Sequence, residues 1–158
     1  METEERKKLI AQYKDGYAAV AESLLKITPE ELDARPAPNK WTVREIVHHL
    51  ADSETTSAIR LRRLLAEEKP QIQGYDQEEF ARRLHYERPH EAALELFRYA
   101  RVATGELLDC LQAADWLREG THSESGRYTV EDWLRTYAEH AHKHARQILV
   151  ARAAAVKK

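Results

Sequence analysis

The chain has 158 residues, 42% of them apolar and 33% charged, with a net charge of −2 when histidine is neutral. That length suits one domain (residues 1–158) with a single substantial core, and the mixture of greasy and charged residues excludes a disordered chain. Basic and acidic residues are interspersed, so no phosphate-binding face forms and nucleic acid is excluded as a partner.

The opening Met1-Glu2-Thr3-Glu4-Glu5-Arg6-Lys7-Lys8 places charge where a signal peptide needs an apolar run. No stretch approaches the ~18 apolar residues of a membrane span. A single cysteine, Cys110, cannot form an internal disulfide, which points to a reducing cytoplasm. Its place between Leu108 and Leu111 in a helical pattern predicts an inert, buried thiol.

Helical periodicity dominates, and no alternating run of strand length is present. A first helix is expected over about residues 3 to 26, with Leu9, Tyr13, Tyr17, Val20 and Leu24 at steps of three and four. Thr28-Pro29-Glu30-Glu31 is a short capped turn. The Pro36 and Pro38 region is a stiff connector. A second long helix opens at Thr42, where Thr42 and Glu45 have capping-box spacing. Its inward stripe holds Ile46, His49, Leu50, Ser53, Ser57, Leu61 and Leu64. Asp76 and Glu79 cap a shorter helix containing Phe80 and Leu84. Pro89 opens a third long helix, with Ala93, Leu96, Phe97, Ala100, Leu107 and Leu111 inward. Ala114 to Tyr128 is expected to be loop. The fourth long helix starts at Thr129, with Asp132 at the third position. Its stripe is Val130, Trp133, Tyr137, His140, His144, Ile148 and Ala151. Four long helices plus one short piece predict an all-α four-helix bundle.

Eight histidines are present, and their placement is more informative than their number. At about 100° per residue, His140 and His144 share a helix face while His142 points away. Such a pair can grip one metal ion, although the glutamate of the H-E-x-x-H helix is missing. On the second long helix His49 lies on the inward stripe and His48 is rotated off it, so His49 is the candidate third ligand. Three imidazoles leave a coordination position open, the pattern of a reactive site. The alternative is three core histidines bonded to neighbours. Surface positions are expected for His85, His90 and His122, with His122 also within reach of a pocket.

Several segments resemble one known family. They are Pro38-Asn39-Lys40-Trp41-Thr42-Val43-Arg44-Glu45, then His49-Leu50-Ala51-Asp52-Ser53-Glu54, Arg60 and Arg62, and Lys69-Pro70. Tyr75-Asp76, Arg101, Tyr137-Ala138-Glu139-His140 and His144-Ala145-Arg146-Gln147-Ile148 continue the pattern. Together they resemble the DinB-like superfamily of small bacterial proteins. The resemblance implies long crossing connections in the bundle and a nickel or zinc ion on His49, His140 and His144. It also implies a homodimer and, among relatives, thiol S-transferases that use bacillithiol or mycothiol beside metal-dependent hydrolases.

A tris-histidine site supports two reactions on a small-molecule substrate. A bound thiol would be deprotonated and attack an electrophile, or a bound water would act as a hydrolytic nucleophile. The lack of a dedicated base favours thiol S-transfer as the expected activity, with hydrolysis or a non-catalytic dimeric binding module as alternatives. Arg60 and Arg101 lie near inward stripes and can hold an anionic group such as a cofactor carboxylate, or form ion pairs instead. Gln147, one turn past His144, can line the pocket or bridge helices. Asp52 and Ser53 are candidates beside the ligands, and Glu54 is expected on a solvated back. Trp41 is expected to staple the helix start, Trp133 and Tyr137 to fill the core, and Tyr75 and Trp116 can roof a pocket.

Overall fold

The computed structural model describes residues 1–155. Its elements are α1 (Thr3–Ser23), α2 (Pro29–Asp33), α3 (Val43–Ala66), β1 (Gln71–Ile72), α4 (Gln77–Arg83), α5 (Glu91–Cys110), a 3-10 turn (Asp115–Leu117), β2 (Glu119–His122), β3 (Gly126–Thr129) and α6 (Val130–Ala153). No helix among the described residues is long and apolar enough to cross a membrane.

Three helix starts are fixed by reciprocal capping boxes: Thr28 with Glu31, Thr42 with Glu45 and Thr129 with Asp132. In each, the threonine hydroxyl takes a backbone N–H of the first turn and the acid takes the N–H of the cap, so two orphan donors are satisfied together. The last two caps set where α3 and α6 begin, and hence which way their histidines face.

The four long helices form the bundle. α1 packs on α6 and α5, and α3 packs on α5 and α6. The cyclic order is therefore α1–α6–α3–α5, so α1 and α3 face each other diagonally, as do α5 and α6. Helices that follow one another across a diagonal need long crossovers, and residues 24–42 and 111–129 supply them. The core has two apolar clusters. One gathers Val20, Ile46, Leu50, Phe97 and Ile148; the other gathers Tyr13, Leu61, Leu64, Leu108, Trp133 and Leu134.

A layer of buried polar side chains bridges these clusters. The guanidinium of Arg101 lies 3.9 Å from the Tyr13 ring centre and 5.4 Å from that of Phe97. Its Nη1 donates to Glu54 Oε2 at 2.6 Å. Its Nε and Nη2 donate to the Tyr13 carbonyl, and Nη2 also to the Tyr137 carbonyl. Tyr13 donates its hydroxyl to Glu54. The solvated position expected for Glu54 is thus overturned, because the carboxylate is fully enclosed among these partners.

The structure departs from the sequence expectations at three further places. The stretch 114–128 is ordered as a 3-10 turn and a hairpin: β2 runs antiparallel to β3 and parallel to β1, with Ile72 opposite His122. These strands have two to four residues and are held by backbone pairing, so no side-chain alternation announces them. The buried stripe of α5 is Ala93, Phe97, Arg101, Thr104 and Leu108, whereas Leu96 is exposed. That stripe runs through polar residues, which disguised it. Cys110 ends α5 about 200° from Leu108 and is exposed.

Candidate metal centre

His49 projects from α3, and His140 and His144 from successive turns of α6. One ring nitrogen from each lies within 4.8 Å of the others. His49 and His140 present Nε2 to Nε2 at 3.3 Å. The ring centres lie 5.3 Å (His49–His140), 4.7 Å (His49–His144) and 4.5 Å (His140–His144) apart. Trp41 does more than staple the helix start: its ring lies 4.7 Å from that of His49.

Burial holds all three imidazoles neutral. His49 is lowered to about 3, mainly by desolvation and then by the proximity of His144 and Lys143. His144 is lowered to about 4 by desolvation, against the opposing hydrogen bond of Gln147. His140 is lowered well below the usual imidazole value by burial and the adjoining rings. Neutral imidazole is the form that binds a metal.

The tautomer of one ligand is fixed. His144 Nδ1 donates to Gln147 Oε1 at 2.8 Å, which leaves Nε2 with its lone pair. His49 Nδ1 is buried without a partner.

The residues fit a divalent cation. Two nitrogens bound at 2.0–2.1 Å in a tetrahedral site stand about 3.3 Å apart, which matches the His49–His140 separation. Facing lone pairs of neutral rings at that distance call for a proton or a cation between them. Three borderline nitrogen donors without a carboxylate suit a first-row transition metal or zinc.

The other histidines divide as helical geometry predicts. His48 bonds the Arg88 carbonyl and stacks on Tyr86. His142 bonds the Gln12 carbonyl. His85 is exposed and His90 is half-buried. His122 corrects the surface expectation: it is buried on β2 and lines a cavity beside His140.

Two cavities flank the triad. A cleft of about 670 Å³ is lined by Trp41, Lys143, His144 and Gln147 among others. A smaller one of about 260 Å³ lies on the side of His140, with Ser53, Arg60, Tyr75, His122 and Tyr137 in its wall. The site residues read from the sequence therefore separate. Gln147 reaches His144, and Arg60 reaches the smaller cavity. Arg101 is not brought to either of these cavities, since its guanidinium is committed to Glu54 and two carbonyls. Asp52 accepts from the Tyr86 hydroxyl rather than from a ligand imidazole. Trp116 packs in the second core cluster and roofs neither cavity.

Comparison with known proteins agrees with this architecture. YfiT from Bacillus subtilis, described as "a probable metal-dependent hydrolase with an unusual four-helix bundle topology", matches with a TM-score of 0.87 at 29% identity, over 94% of this chain and 86% of that one. A protein of Oceanobacillus iheyensis named "Putative metal-dependent hydrolase OB0782" is 34% identical over 126 residues, covering 80% of this chain and 73% of the relative. A protein of the same designation from Halalkalibacterium halodurans, BH0277, is 28% identical over 118 residues, covering 75% and 69%. A family model described as the DinB superfamily matches residues 12–148. On that match, which spans most of the bundle and all three converging histidines, the chain belongs to the DinB superfamily.

Proposed function

We propose that this protein is a metal-dependent hydrolase that holds one nickel or zinc ion on His49, His140 and His144 and acts on a small molecule. The observation behind this reading is the convergence of three neutral ring nitrogens between two cavities. The designations of the relatives support hydrolysis over the thiol S-transfer expected from the sequence.

A divalent cation held there would supply Lewis acidity and lower the pKa of a water molecule toward ~7. The chain's own residues prepare the surroundings. Gln147 holds the His144 tautomer, and the Trp41 ring packs against His49. Tyr137, 5.8 Å from His140 between ring centres, accepts a hydrogen bond from Arg60 Nη1 at 3.1 Å. Burial raises its pKa, so its hydroxyl stays protonated and can donate to a substrate oxygen.

One observation favours the second reading. No carboxylate joins the triad among the described residues, so a ready general base is missing. Thiol S-transfer with bacillithiol or mycothiol would need none, because thiolate formation is favoured next to a divalent cation.

The test is metal content of purified, tag-free protein by mass spectrometry beside His140→Ala, followed by a panel of esters and amides with and without thiol. About one equivalent of metal, lost in the variant, with turnover in the absence of thiol, is the expected result. Turnover only with thiol would move the assignment to S-transfer. Absence of metal after incubation with nickel and zinc would leave a non-catalytic binding module.

A further inference from the structure

The smaller cavity beside His140 has an unusual inventory. Arg60 donates Nη1 to the Tyr137 hydroxyl and Nη2 to the Gln73 carbonyl at 2.5 Å. Neither partner is charged, and Arg60 Nε is buried with no partner at all. Among the described residues no carboxylate pairs with this arginine, although most other arginines of the chain have one within 4 Å. The Tyr75 hydroxyl is likewise buried and unpartnered, with the Arg60 guanidinium 5.8 Å from its ring centre.

Two more donors face the same space. His122 Nδ1 accepts the Glu124 backbone N–H at 3.2 Å, which places the ring proton on Nε2 and makes that edge a donor. The Tyr137 hydroxyl, having accepted from Arg60, keeps its own proton to give. Among the described residues the only acidic side chain in the wall is Glu124; it is exposed, with its carboxylate against Gly74. The cavity therefore offers one uncompensated cation and three neutral donors, with the Ser53 hydroxyl, itself a donor or acceptor, beside Tyr75 and Tyr137. An unsatisfied buried polar group costs about 1–3 kcal/mol, and one acceptor-rich ligand group would satisfy several at once.

We propose that this cavity is an anion subsite that takes a carboxylate of the substrate, with Arg60 as counter-ion and Tyr75, Tyr137 and His122 as hydrogen-bond donors. The planar guanidinium and the oxygen-only acceptors of a carboxylate are matched in geometry. The subsite rests on the hydrolase reading for its purpose and would hold a carboxylated substrate with its scissile bond toward His140. Substrates of this class are esters or amides carrying a free carboxylate within a few bonds of the cleaved group.

The test is binding, read apart from turnover. Succinate is titrated into chelator-treated protein by calorimetry, with the ring signals of His122 and Tyr75 followed by NMR. Succinamide and inorganic phosphate serve as the neutral and the tetrahedral comparison. Succinate should bind the metal-free protein and shift both rings, succinamide should not, and Arg60→Gln should weaken binding at least ten-fold. Tyr75→Phe, which removes a single hydroxyl, should weaken it several-fold and guards against a folding defect in the arginine variant.

Unchanged affinity in both variants would overturn the subsite. So would binding that needs the metal and leaves the His122 ring unshifted, or a preference for phosphate. Because the readout is metal-free, succinate binding without ester hydrolysis would sink the hydrolase reading alone. Hydrolysis of neutral esters without succinate binding would sink the subsite alone.

Discussion

Arg101 and Glu54, 47 positions apart on α5 and α3, form an ion pair at 2.6 Å in which both side chains are essentially closed to water. Removing one charge from water is expensive, and this pair is offset by hydrogen bonds to Tyr13 and to two backbone carbonyls. The two residues stand where the apolar clusters meet, so they fasten α3, α5 and α1 at one level of the bundle.

Arg101→Met should therefore cost about 3–5 kcal/mol, because it strands a buried carboxylate. The double variant Glu54→Gln, Arg101→Met should recover part of that loss. Urea denaturation of the two single variants and the double variant measures the coupling. Additive losses would show that the pair is not energetically linked.

Gln147 accepts the His144 Nδ1 proton and so sets the orientation of that ring. Gln147→Ala should lower metal affinity about 10–100-fold, the usual effect of losing a partner behind a ligand. Competition with a chromophoric chelator reads it. An unchanged affinity would mean that the helix alone fixes the imidazole.

Helical phase separates the two histidines on either side of Ala141. His140→Ala should abolish stoichiometric metal binding, whereas His142→Ala should retain about one equivalent, since His142 bonds the Gln12 carbonyl on the far side. Loss of metal in both would contradict the assigned face.

Gly120 sits where β2 meets the Pro70 carbonyl; an added Cβ would come within 2.4 Å of that backbone oxygen. Gly120→Ala should destabilise the protein by about 1–3 kcal/mol through overpacking. It should also loosen His122, two residues on, which NMR of that ring would report as broadening or a second signal. A variant as stable as the parent would show that the strands part without cost.

These elements were unequally legible in the sequence. Thr42 with Glu45, and Thr129 with Asp132, announce helix starts because capping is a local interaction coded at fixed spacing. The face shared by His140 and His144 follows from the pitch of the helix alone, and the same pitch selects His49 over His48. Glu54 was misplaced because a charge in a helix pattern signals water unless its partner is known, and Arg101 is distant in sequence. The hairpin was invisible for a related reason. Glu119-Gly120-Thr121-His122 has no apolar alternation, and its pairing with Gln71 and Ile72 joins residues 50 positions apart. His122 was correspondingly hard to place beside His140.

The three-stranded sheet ties the crossover after α3 to the crossover before α6. The three histidines ride on long, capped helices, while part of the smaller cavity's wall, Tyr75, His122 and Tyr128, stands on connections. Exchanging residues 71–76 and 121–128 would redraw that part of the chamber without moving a histidine of the triad. A bundle built this way can change what it accepts faster than it can change how it reacts, so relatives that share the triad are free to differ in the molecules they process.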